Sequence, residues 1–132
     1  MTENENKKHF LEYMRTVFYK DFRKELDNIW CQELMKSDQI EVVDIWNGET
    51  FAGIMVLEDN YIDCIYVLPK FRRQGLARKA VIDYFKDKRE YPSLIIINKN
   101  HKAKEFWNSL FYMSEVDGNF IETKYQVTGY KF

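Results

Sequence analysis

The chain is short of the residues that small specialised domains lean on. Two cysteines in 132 residues, Cys31 and Cys64, are too few and too far apart for a disulfide framework or a metal knuckle, so both read as reduced, packed thiols. The two histidines, His9 and His101, are equally scattered, and no metal is expected. An excess of one charge is missing as well. Twenty Lys plus Arg against twenty-one Asp plus Glu leave a formal charge of −1, which provides no global field toward nucleic acid or an acidic membrane. The longest stretch without a polar or charged side chain, residues 51–57, falls far below the roughly 20 residues of a membrane-spanning helix. The opening MTENENKKH lacks the apolar stretch of a secretory signal, so the expectation is a cytoplasmic protein with neither a membrane nor a nucleic-acid partner. Glycine (five) and proline (two) are scarce, and no linker, repeat or low-complexity tract interrupts the chain. What is present is 45% apolar and 17% aromatic, enough for a single domain over residues 1–132 with aromatic core layers or an aromatic-lined pocket.

The first third has helical spacing. Phe10, Leu11, Met14, Val17 and Phe18 form one stripe and Phe22, Leu26, Ile29, Trp30 and Leu34 a second, with a bend near Lys20 and Asp21. Residues 40–46, rich in β-branched and aromatic side chains, read as a strand. Asn47-Gly48 marks a hairpin turn into a second strand at 50–57, and Asp59-Asn60 a turn into a third at 61–68, which Pro69 ends. Ala77, Ala80, Val81, Tyr84 and Phe85 then mark an amphipathic helix to about Lys88. The apolar SLIIIN, residues 93–98, reads as a buried strand lying parallel to its neighbour. Ala103, Phe106, Trp107 and Leu110 line a further helix, and Asp117-Gly118 turns between strands from about Tyr112 and over 120–127. This order gives an α/β or α+β fold, with helices packed on the faces of one sheet.

The stretch YIDCIYVLPKFRRQGLARKAV carries the chemistry. A strand runs into a basic loop with a glycine and then directly into a helix. The unpaired N–H groups of that helix's first turn, together with its positive dipole end, suit a phosphate or pyrophosphate. Arg72, Arg73 and Arg78 add forked donors. The bland alternative is a solvated turn whose glycine serves only as a helix entry.

The spacing Arg72-x-x-Gly75-x-Ala77, after a strand ending Ile-Tyr-Val, resembles the Q/R-x-x-G-x-G/A motif of the GCN5-related N-acetyltransferases (GNAT). Asn100, Ala103, Phe106 and Trp107 match the spacing of that family's later Asn-x-x-Ala-x-x-Phe-Tyr segment. The resemblance covers about residues 40–127, with the helices of about 5–36 on the acceptor side. It implies a mixed, mainly antiparallel sheet flanked by helices, although the strand that usually precedes the first helix is missing. It also implies acetyl-CoA as co-substrate. Backbone groups of Ile65, Tyr66 and Val67 would meet the pantetheine arm, with the Val67 amide as oxyanion donor. The loop Arg72, Arg73, Gln74, Gly75, Leu76, Ala77 and Arg78 would take the pyrophosphate, and Asn100 would approach the cofactor through its side chain.

An acceptor amine with a pKa near that of lysine, about 10.4, must lose a proton before attack. The resemblance places candidate bases on the third strand at Tyr61 and Asp63, with Asp63 leading; simple alternation puts both on the face of Ile65 and Val67. The plainer role for Asp63 is an ion pair at a sheet edge. Trp107 stands where many members have a proton-donating tyrosine, and an indole N–H donates a hydrogen bond without giving up its proton. Its plainer role is core packing. Phe111 replaces a common glycine. The function implied is transfer of an acetyl group to a primary amine of a small molecule or peptide. The alternative is an acyl-CoA-binding regulatory module with little activity. Exposed strand edges make a homodimer an option.

Overall fold

The computed structural model of the chain describes residues 3–16, 36, 40–98, 101–117 and 122–131. The second helical stripe, the bend near Lys20, Cys31, Asn100 and Gly118 fall outside them. The elements are α1 (Glu3–Thr16), β1 (Ile40–Asn47), β2 (Thr50–Glu58), β3 (Tyr61–Val67), a single 3-10 turn (Pro69–Phe71), α2 (Leu76–Lys88), β4 (Leu94–Asn98), α3 (His101–Leu110), β5 (Phe111–Asp117) and β6 (Glu122–Tyr130). They build one six-stranded sheet in the order β1-β2-β3-β4-β6-β5. Every neighbouring pair is antiparallel except β3 and β4, the pair joined through the α2 crossover. The expected mixed, mainly antiparallel sheet flanked by helices is the observed one, and the first described element is a helix.

Three details depart from the sequence reading. Asn47 pairs with Thr50 inside the strands, so the first hairpin turns at Gly48 and Glu49 rather than at Asn47-Gly48. The strand after α3 starts at Phe111 with no loop between them, because Phe111 is fully buried and belongs to the core. The third is a β-bulge. Leu57 pairs with Ile62 and Val56 with Cys64, which leaves Asp63 as the extra residue of β3.

Each face of the sheet has its own core. On one, α2 and α3 bring Val81, Phe85, Trp107 and Leu110 against Met55, Leu57, Ile62 and Ile95. A fully buried phenylalanine such as Phe85 contributes about 2–3 kcal/mol through the apolar surface it removes from water. On the other face α1 sets Phe10 against Ile40, Val42, Ile54 and Val56.

The helix also covers part of an edge. Asn6, His9 and Tyr13 form a polar stripe at helical spacing. The Val42 N–H donates to Asn6 Oδ1 at 3.0 Å, and the Asp44 carboxylate meets His9 Nε2 and the Tyr13 hydroxyl, each at 3.2 Å. Tyr13 stacks on Phe51, and burial together with the neighbouring Asp44 charge pushes its phenol up to about 12. Among the described residues no strand pairs with the outer side of β1, and α1 supplies a side-chain acceptor there, Asn6 Oδ1.

Candidate active site

The parallel ladder between β3 and β4 consists of two rungs, Tyr61 with Leu94 and Ile62 with Ile95. Past them β4 continues to pair with β6 and β3 with β2, while no further rung joins the two strands. The sheet opens there into a wedge whose apex holds Asp63, the first β3 residue beyond the last rung. Asp63 is buried, with 7% of its surface exposed. Counted back from Val67, it shares a face with Ile65. Tyr61 does not, because Ile62 takes the place on that face that unbroken alternation assigned to Tyr61. Ile62 and Ile65 pack on the same core three positions apart, and Tyr61 is 41% exposed. The expectation that Tyr61 and Asp63 point the same way is therefore corrected by the bulge.

Backbone direction beyond the apex follows from one hydrogen bond. The Leu68 N–H donates to Ala52 of β2 at 2.8 Å. Alternate residues of a strand direct their backbone groups to opposite sides, so Ile65 and Val67 turn theirs away from β2 and into the wedge. β2 comes close enough to hold this geometry because Gly53 has no side chain. A Cβ there would lie 2.1 Å from the Tyr66 carbonyl oxygen.

The loop after β3 ends on the N-terminus of α2. Arg73 and Gly75 both adopt left-handed backbone angles, φ 64° and 75°. Gly75 caps α2 with no side-chain hydrogen bond, so no capping side chain covers the amides of the helix's first turn. A cavity of about 360 Å³ opens at this end, lined by Val67, Phe71, Arg72, Arg73, Gly75, Leu76, Ala77, Arg78, Phe106 and Ser109. Arg72, Arg73, Gly75 and Arg78 of the expected loop line it together with Ser109, and Gln74 does not. Arg72 has a further task, since its Nε donates to the Val67 carbonyl at 2.8 Å and its guanidinium lies 5.0 Å from the Tyr66 ring centre. That side chain ties the loop back to the end of β3. Gln74 is exposed and reaches toward the Lys70 carbonyl at 3.5 Å.

Trp107 lies in the core with 5% of its surface exposed, edge-on to Phe106 at 4.8 Å and stacked 6.3 Å from Phe111. Its helical neighbours Phe106 and Ser109 line the cavity instead. Asn100 lies outside the described residues. Cys64 faces the α1 side; burial, and then the Asp63 charge, push its thiol up to about 12, so it stays protonated at neutral pH. Among the described residues no cluster of His, Cys, Asp and Glu is arranged to hold a metal ion. Three contributors escaped the sequence reading: Gly53, whose signal was an isolated glycine inside a strand, and Phe71 and Ser109 at the cavity wall.

The acetyltransferase (GNAT) family model matches residues 7–111. No curated protein sequence matches the chain at a significant level. Among solved structures, an acetyltransferase from Thermus thermophilus is similar, with a TM-score of 0.58 and 17% identity over 74% of this chain and 69% of that one. The PaiA N-acetyltransferase from Thermoplasma acidophilum, solved in complex with coenzyme A, has a TM-score of 0.52 and 13% identity over 87% of this chain and 78% of that one.

Proposed function

The chain belongs to the GNAT acetyltransferase family, with acetyl-CoA as its co-substrate, and from that premise we propose that it is a cytoplasmic N-acetyltransferase acting on a primary amine of a small molecule or peptide. The observation that carries this reading is the wedge between β3 and β4 opening beside a helix N-terminus without a side-chain cap. A narrow polar arm fits the first and a pyrophosphate the second. In this reading the amides from Arg73 to Arg78 hold the pyrophosphate, and the inward backbone groups of Ile65 and Val67 line up the arm as an added strand would. Tyr66 supports them as the ring beneath the Arg72 guanidinium. The Val67 N–H faces the wedge, where it serves as a donor to the oxygen that gains charge during transfer. Asn100 keeps the role that the family spacing gives it.

The amine attacks the thioester directly while both are held side by side, and no covalent enzyme intermediate is needed. Asp63 is the base, positioned at the apex of the wedge and shielded from bulk water. Tyr61, on the opposite face, is the weaker candidate. The burial of Trp107 favours a sulfur that leaves as thiolate, with the indole acting at most as a hydrogen-bond donor. It equally supports the second reading, an acyl-CoA-binding regulatory module that transfers little. Residues 5–36 frame the acceptor in either case.

Calorimetric titration with acetyl-CoA tests the cofactor site that both readings share. Wild-type protein is expected to bind at micromolar concentration, and 100 Kd of ligand to stabilise it by about 2.7 kcal/mol. Ala77→Glu sets a carboxylate at the cavity wall on the first turn of α2, where it repels a pyrophosphate; binding should fall at least about a hundredfold, measured at a temperature where the variant, whose residue 77 packs beside Ile45, Ala52 and Val67, is fully folded. Release of CoA with a panel of amines then distinguishes enzyme from module. Absence of both heat and thermal stabilisation at millimolar acetyl-CoA would overturn the assignment.

A further inference from the structure

We propose that the cavity at the C-terminal end of α2 binds a small aromatic carboxylate, its ring between the helix and two tyrosines and its charge on Arg89. The cavity measures about 410 Å³, within the roughly 300–1,000 Å³ of small-ligand sites. Ile82 and Phe85 of α2 form one side, Tyr91 and Tyr130 the other. Lys86, Arg89 and Glu90 supply its charged groups. The thirteen residues of α2 set it roughly 20 Å from the cofactor loop at the other end of the helix, so it takes no part in acetyl transfer.

The walls are built without a ligand. The Arg89 and Glu90 N–H groups donate to the Lys86 and Phe85 carbonyls at 3.1 and 3.2 Å and close the helix. Asn60 Nδ2 donates to the Tyr91 carbonyl at 2.6 Å, which ties the following turn to the β2–β3 hairpin. The Tyr91 ring meets Tyr130 edge-on at 5.0 Å and lies over Gly129, where a Cβ would stand 3.8 Å from it. Tyr130 in turn lies 4.9 Å from the buried Phe111. Rings held in this way offer an incoming ring edge-to-face or offset contact. The charge favours an anion. Lys86 and Arg89 have no ion pair among the described residues, whereas Lys79 and Lys88 of the same segment are both paired. Glu90 is the one carboxylate on the wall, and the Tyr130 phenol, pushed up to about 12 chiefly by burial, adds no charge at neutral pH. Cations suit the dipole at a helix C-terminus on their own; here the two exposed ones line an aromatic cavity. Arg89 also holds φ 54°, a left-handed position after a helix that glycine ordinarily takes, so an arginine there carries backbone strain the fold does not require. Its forked donors match a carboxylate.

The test titrates the whole chain, without acetyl-CoA, with naphthalene-2-carboxylate while amide NMR shifts are followed. Saturable shifts are expected at Lys86, Arg89, Tyr91 and Tyr130, with half-saturation below about 1 mM. Naphthalen-2-ylmethylamine, the same rings carrying a cation, should bind at least about tenfold more weakly. Arg89→Gly removes the fork and the strained backbone angle together, so Tm should hold or rise while affinity for the acid falls about tenfold or more. Lys86→Gln, a change on the exposed helix surface, should weaken it several-fold. Shifts absent at millimolar acid, shifts confined to the cofactor loop, equal binding of the amine, unchanged affinity in Arg89→Gly, or the same shifts from inorganic phosphate alone would each overturn the proposal.

Discussion

Replacing Gly53 by alanine tests the geometry of the wedge from its far side. The new Cβ would stand 2.1 Å from the Tyr66 oxygen and 2.9 Å from the Val67 Cα. Both are backbone atoms, so no side chain can swing aside and β2 must separate from β3 at the end of the wedge. Overpacking of this kind costs about 1–3 kcal/mol, and the ladder hydrogen bonds stretched alongside add about 1 kcal/mol. Against them stands about 0.4–1 kcal/mol from the stiffer unfolded chain. The net loss is about 1–3.5 kcal/mol, which for a domain of this size lowers Tm by roughly 3–14 °C. The direction matters more than the number, because the unfolded-state effect alone predicts a small gain. Thermal unfolding followed by circular dichroism measures the first part. The second is functional: the Val67 amide moves with the strand, so transfer below the transition should fall more than the folded fraction does. A Tm within about 2 °C of wild type, or above it, would refute the close approach and with it the placement of Val67.

Four further outcomes follow from the site. Asp63→Asn should lower kcat by about a hundredfold or more, while acetyl-CoA affinity measured by calorimetry changes less than about threefold; a kcat within tenfold of wild type would remove Asp63 as base. Gly75→Ala meets nothing within 4 Å but needs φ 75°, so urea denaturation should show a loss of about 1 kcal/mol with binding nearly intact, in contrast to Ala77→Glu. Arg72→Lys replaces a forked donor by a point charge that cannot both reach the Val67 carbonyl and cover the Tyr66 ring, so calorimetry should find acetyl-CoA bound several-fold more weakly. The Cys64 thiol, raised from its ordinary value of 9.0 to about 12, is more readily ionised in the unfolded chain, so its contribution is complete below pH 9 and is lost as pH rises toward 12. Reversible urea unfolding under reducing conditions should begin to lose stability near pH 9, with a slope approaching about 1.4 kcal/mol per pH unit midway toward 12, and Cys64→Ala should remove that onset.

The pieces legible in the sequence are those written in local pattern. The strands and helices from residue 40 onward, the parallel neighbour of the apolar 94–98 segment and the loop that enters α2 through Gly75 each have a short-range cause: alternation, helical spacing, or a glycine placed at a helix start. Pairing between distant segments has no such signature. Alternation along YIDCIYV predicts that Tyr61 and Asp63 look the same way, and it fails because Val56 and Leu57 of β2 pair with Cys64 and Ile62 and skip Asp63. Nothing within the seven residues of β3 records that skip; it is decided by which register lets both strands bury their apolar faces. The same skip occurs where the ladder to β4 stops, so one irregularity coincides with the opening of the wedge and places a carboxylate at its apex. Asn6 makes the parallel case at the sheet's edge: a polar residue in a helical stripe reads as a solvated face, yet it is 6% exposed because the Val42 N–H needs an acceptor that no strand supplies among the described residues. In both places a polar side chain sits in the interior where the regular ladder ends. Unpaired backbone is what makes room for it, and that is a property of the assembled sheet rather than of any one segment.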